Sequence, residues 1–152
     1  MKKQISEALL RIEADNSVRI IYACESGSRA WGFESQNSDF DVRFLYVHPK
    51  DWYLSIAEKR DVIELPADEI LDISGWDIRK TLQLLRRSNS PLMEWLVSPI
   101  KYQCIDAVFN PLLELSKKAF LPEASFHHYL SMARNNLAEV QNTEKPKIKS
   151  YL

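Results

Sequence analysis

Glycine is scarce. Only 3 of the 152 residues are glycine, and none falls in a GxGxxG or GxxxxGK[ST] pattern, whose backbone amides cradle phosphates. A Rossmann dehydrogenase and a P-loop NTPase are therefore disfavoured. Cysteine is nearly absent as well: Cys24 and Cys104 stand far apart, in neither a CxxC pair nor a zinc-finger spacing, so each is read as a reduced, buried thiol. Neither sign of charge is in excess, with 20 Lys+Arg against 21 Asp+Glu and a net charge of -1. Counterion release thus supplies no global pull toward nucleic acid or an anionic membrane, and any polyanion site must be local. No stretch approaches the roughly 18 apolar residues of a membrane span. The stretch Met1 to Leu10 is interrupted by Lys2, Lys3, Gln4 and Glu7, unlike a secretory signal. The expectation is a cytoplasmic protein with no membrane partner.

What is present suits one globular domain: apolar residues make up 45% and charged residues 27%, enough for a packed core. Ile5, Leu9 and Ile12 recur at helical spacing and predict a first helix over Lys3 to Asn16. Val18 to Cys24 is β-branched and aromatic, and predicts a strand buried on both faces. A small, polar segment from Ser26 to Ser38 leads into a second predicted strand, Asp39 to Val47. Arg60 to Leu65 and Glu69 to Ser74 read as a hairpin across Pro66-Ala67-Asp68. After Gly75 the period changes. Ile78, Leu82 and Leu85 predict a helix ending near Ser88-Asn89, and Ser90-Pro91 supplies a cap and first-turn proline for a short helix to Val97. Asp106 to Phe120 and Glu123 to Val140 predict two more helices, and the run Lys147 to Leu152 carries no stop signal, as if the chain were cut there. Strands first and helices afterwards make an α+β arrangement, with a soft boundary near Lys101.

The chemistry-bearing constellation is Gly27-Ser28 followed, after ten residues, by Asp39-Phe40-Asp41. Side chains alternate along a strand, so Asp39 and Asp41 are expected on one face and Phe40 and Val42 on the other. With alternate Cα atoms about 6 to 7 Å apart, two carboxylates repel unless a cation or strong donor lies between them. Such a pair suits two hard cations, and magnesium is the natural candidate because it takes oxygen ligands and shares them with substrate phosphates. Gly27 permits a tight turn, and the Ser28 hydroxyl with the following amides suits a phosphate, with Arg29 beside it.

These residues resemble the nucleotidyltransferase signature of the DNA polymerase beta superfamily. Gly27-Ser28-Arg29-Ala30-Trp31-Gly32 with Ser38-Asp39-Phe40-Asp41-Val42-Arg43 is similar to the bacterial and phage group of predicted nucleotidyltransferases within it. Leu71 to Lys80 and Ser88 to Leu96 are similar to that group's strand-to-helix junction and Asn-Pro-Glu-containing turn. The resemblance implies a mixed sheet flanked by helices over residues 1–100, followed by a helical lobe over 101–152 that is shorter than in longer relatives. It implies a third carboxylate on a neighbouring strand, which Asp72 matches, with Asp77 as competitor. The expected metal and catalytic residues are Asp39, Asp41 and Asp72, holding two Mg2+ ions. The expected nucleotide-binding residues are Gly27, Ser28, Arg29, Arg43 and Lys80. Arg43 is balanced between a phosphate contact and a structural ion pair, and Lys80 between the triphosphate and solvent. Trp31, Trp76 and Trp95 suit either the core or base stacking. Glu94 matches an acid in the group's pattern but also suits a helix N-terminus. His127-His128 point about 100° apart on a helix and make no metal site.

The expected activity is transfer of a nucleoside monophosphate from an NTP to a hydroxyl, with release of pyrophosphate. The acceptor is left open among an RNA end, a small molecule and a protein hydroxyl. The alternative is a non-catalytic nucleotide- or partner-binding module, including an antitoxin-like role.

Overall fold

A computed structural model describes residues 1–35, 38–66 and 70–142. The turn at Ala67-Asp68 and the run Lys147 to Leu152 lie outside the described residues. The elements in chain order are α1 (Lys2–Asn16), β1 (Arg19–Glu25), α2 (Gly27–Trp31), β2 (Phe40–Val47), α3 (Lys50–Tyr53) and β3 (Val62–Glu64). They continue with β4 (Leu71–Asp77), α4 (Ile78–Arg86), α5 (Ser90–Leu96), β5 (Lys101–Cys104), α6 (Asp106–Ala119) and α7 (Pro122–Asn142).

The five strands form one sheet in the order β3-β4-β2-β1-β5. β2 and β4 run parallel and the remaining pairs antiparallel, so the sheet is mixed. The fold is α+β with a helical C-terminal portion, of the polymerase beta-like kind. Each face of the sheet buries its own cluster. On one, Ile5, Leu9 and Ile12 of α1 pack on Ile20, Ala23, Val42, Phe44, Tyr46 and Ile73. On the other, Leu85 of α4, Leu92, Trp95 and Leu96 of α5, and Phe109 and Leu112 of α6 cover Tyr22, Cys24 and Leu45. β1 is accordingly buried on both faces, as its unbroken apolar run predicts.

Side-chain caps start α4, on Asp77, and α5, where the cap differs by one residue from the expected one. Asn89, not Ser90, caps α5: its side chain accepts from Leu92 N at 3.1 Å, and Pro91 sits in the first turn where no amide is needed. The short strand β5 has no counterpart in the sequence reading. Four residues, KYQC, pair with β1 and give the sheet an edge. Trp76 and Trp95 stack on each other at 3.8 Å between ring centres, which assigns both to the second core. Of the two thiols, Cys24 is fully buried and Cys104 half-buried, donating to Asp106 Oδ1 at 3.2 Å.

Candidate active site

The parallel pairing of β2 with β4 sets Asp41 directly opposite Asp72. Phe40, Val42, Leu71 and Ile73, the residues between and beside them, turn to the α1 side of the sheet and pack there. Pleat alternation therefore forces both carboxylates to the other face, at the strand starts, where no helix covers them completely. Two adjacent anions need a counter-charge, and the guanidinium of Arg43 supplies it. Its Nη2 donates to Asp41 Oδ1 at 3.1 Å and to Asp72 Oδ2 at 2.7 Å, while Nη1 donates to the Val42 and Asp72 carbonyls at 3.2 and 3.1 Å.

The turn from β1 into α2 closes over Asp41. Ser26 N donates to the Asp41 carbonyl at 2.8 Å. Gly27 follows with φ +59, and a Cβ there would lie 2.0 Å from Asp41 Oδ2. Glycine is needed twice over, for the left-handed backbone and for the missing side chain. Ser28, half-buried, is the second residue of this five-residue helix.

Glu25 is a participant that the motifs do not reveal. Its carboxylate is wholly buried, accepting from Asp41 N at 2.9 Å on one oxygen and from the Tyr102 hydroxyl on the other. Burial raises its pKa above the ordinary carboxylate value, while the Tyr102 and Asp41 donors pull it back down. It locks the start of β2, and with it Asp41, to the β1–β5 side of the sheet. The sequence signal was an acid ending an apolar strand just before Gly-Ser. Its partner, 77 residues away, left none.

Other expected residues are placed elsewhere. Asp39 precedes the strand and is exposed. Its carbonyl accepts from Arg29 Nε at 2.9 Å, the Ser38 carbonyl accepts from Arg29 Nη2 at 2.6 Å, and the guanidinium lies 3.9 Å from the Phe40 ring centre. Arg29 therefore braces the approach to β2 through Nε and Nη2. Lys80 is placed apart from the carboxylate pair. It stands in the first turn of α4, beyond the far end of β4, and its Nζ pairs with Asp61 Oδ1 at 3.1 Å. The length of β4, about 16 Å from residue 72 to 77 by strand rise, separates it from the carboxylate pair. Asp77, also at that far end, caps α4 by accepting from Arg79 N at 2.8 Å and takes the Tyr53 hydroxyl at 2.6 Å. It is structural, and Asp72 is the acid that meets Asp41.

Among the described residues no three His, Cys, Asp or Glu side chains are grouped closely enough to hold a metal ion. Asp39 stands one residue before β2, which begins at Phe40, while Asp41 and Asp72 lie within their strands. A carboxylate pair still fits magnesium, which keeps several waters and is commonly held by one or two carboxylates plus substrate phosphates. No helix among the described residues is long and apolar enough to cross a membrane.

The sequence matches the RNA repair pathway DNA polymerase beta family, RlaP, over residues 1–152. It is 53% identical over 151 residues to the Bacillus subtilis (strain 168) protein named "Uncharacterized protein YcgL". That match covers 99% of this chain and 58% of the relative, so the chain spans less than two thirds of the length of the curated relative it matches. No solved structure matches. With the match running the length of the sequence and the Asp41–Asp72 pair set beside the Gly-Ser turn, the chain belongs to the RNA repair pathway DNA polymerase beta family.

Proposed function

We propose that the protein transfers a nucleoside monophosphate from an NTP to a hydroxyl at an RNA end. The acceptor oxygen forms a bond to the α-phosphorus, the bond from that phosphorus to the bridging oxygen breaks, and pyrophosphate leaves. The observation that carries the reading is the register of β2 against β4, which pairs Asp41 with Asp72 beside the Gly27-Ser28 turn. The word "RNA repair" in the family's description favours an RNA end over the small-molecule and protein acceptors.

Asp41 and Asp72 would hold the divalent cation. When bound, Mg2+ neutralises the triphosphate and the leaving pyrophosphate and acidifies the attacking hydroxyl. Asp72, whose side chain is 37% exposed against 22% for Asp41, is the carboxylate better placed to take the hydroxyl proton. Gly27 keeps the turn close to Asp41, and the Ser28 hydroxyl donates to the phosphates. Glu25 and Tyr102 hold the Asp41 backbone in register. A second Mg2+ is the remaining element of the two-metal mechanism, and Asp39, one residue before β2, is the further carboxylate that would help hold it.

The test is incubation with each labelled NTP, Mg2+ and RNA of defined 5′ and 3′ ends, with Asp41→Asn and Asp72→Asn alongside. Label is expected on the RNA, with turnover falling about 10²–10⁴-fold in either variant. NTP binding without transfer to any RNA, small-molecule or protein acceptor would replace this reading with the non-catalytic module.

A further inference from the structure

Arg43 occupies the gap between Asp41 Oδ1 and Asp72 Oδ2, where a cation bridging those two oxygens would sit. One nitrogen, Nη2, lies within 3.1 Å of a carboxylate oxygen from each aspartate, and the neighbouring Nη1 is fixed by two main-chain carbonyls. A magnesium ion draws its oxygens to about 2.0–2.1 Å, so a bridging ion and Nη2 cannot occupy one gap together. The guanidinium side chain is only 17% exposed, and its ion pairs are correspondingly less screened than surface ones.

We propose that Arg43 is the resting counter-ion of the Asp41–Asp72 pair and that its ion pairs and divalent-cation binding exclude each other. Arg43 holds the two carboxylates together before the cation arrives, and it swings out when the cation enters. Its freed donors then lie beside the metal-bound phosphates, where a guanidinium bonds two oxygens at once. This makes Arg43 a positioning residue in the resting protein and a phosphate ligand only afterwards, joining two roles that the sequence leaves as alternatives. The inference rests on the reading above that Asp41 and Asp72 take a divalent cation.

The test measures Mn2+ affinity by electron paramagnetic resonance, without nucleotide, in the wild-type chain, Arg43→Met and Asp72→Asn. Removing the competing charge-assisted hydrogen bonds is expected to tighten Mn2+ binding about tenfold in Arg43→Met, and Asp72→Asn is expected to weaken it. In EDTA, Arg43→Met should melt below wild type, with Mn2+ closing the gap. Equal or weaker binding by Arg43→Met, with Asp72→Asn still impaired, overturns the exclusion and leaves the metal reading standing. No Mn2+ binding by wild type or Arg43→Met, or binding indifferent to Asp72→Asn, overturns both.

A second measurement on the unaltered side chain decides the matter if Arg43→Met fails to fold in EDTA. The arginine side-chain 15N–1H signals of wild type, with Arg43 identified by its loss in Arg43→Lys, are followed during Mg2+ titration. The Arg43 signals should shift or broaden in step with binding, and signals unchanged at saturating Mg2+ overturn the proposal.

Discussion

Around Asp41 the packing leaves no room for a side chain at residue 27. Any side chain at residue 27 would be built into the carboxylate, 2.0 Å from Oδ2, on a backbone with φ +59. Gly27→Ala should therefore destabilise the protein by about 2 kcal/mol, read by urea denaturation, and should lower transfer further than that loss explains because Asp41 must shift. Tyr102→Phe removes a donor from the buried Glu25 carboxylate. The expected cost is about 1–3 kcal/mol, and Glu25→Gln in the same background should recover part of it by removing the unsatisfied charge. Asp41 and Asp72 were legible because alternation marks the face of a strand residue, and the family resemblance selected residue 72. The bridge by Arg43 was not. It depends on which strand lies beside β2 and in what register, and local sequence carries neither fact.

At the scale of elements, the end of β2 supplies a pH dependence. His48 follows the strand, stacks on Trp52 at 3.9 Å between ring centres, and has its pKa lowered by burial, opposed by Asp77 and assisted by Lys59. The folded state thus takes up this proton less readily than the unfolded chain, so the site's contribution to stability is complete above about pH 6.5 and is lost as pH falls through the lower folded value. His48→Phe keeps a ring on Trp52 without titrating, and the fall in urea-denaturation stability between about pH 7.5 and 5 should be shallower in it than in wild type. Long periodic elements such as α1 and β1 were readable from sequence, whereas β5 was not. Four residues with Lys101 at one end and Gln103 inside have no clear period, and only the open edge of β1 makes them a strand. Lys80 shows the same limit from the other side: its helix was identified, but the end of the sheet at which that helix starts was not.

Over the whole molecule, the sheet carries cores on both faces, and the second is completed from beyond residue 100. Phe109 of α6 stacks on Tyr22 of β1 at 4.3 Å between ring centres, and both belong to that cluster. Phe109→Ala is expected to cost about 3–5 kcal/mol and to lower one shared unfolding transition. Two separated transitions would instead support independent units divided near Lys101.

Burial also reaches the thiol of Cys24, which lies next to Glu25 in β1, is wholly enclosed, and has its pKa raised to about 12. An alkylating reagent needs both access and a thiolate, and the folded protein supplies neither. Capture of this sulfur therefore clocks the opening of the central strand, while the half-buried Cys104 serves as the internal reference. The chain carries its own kinetic reporter one residue from the acid that anchors Asp41, and slower trapping on adding Mg2+ and NTP would time how firmly ligands clamp that strand.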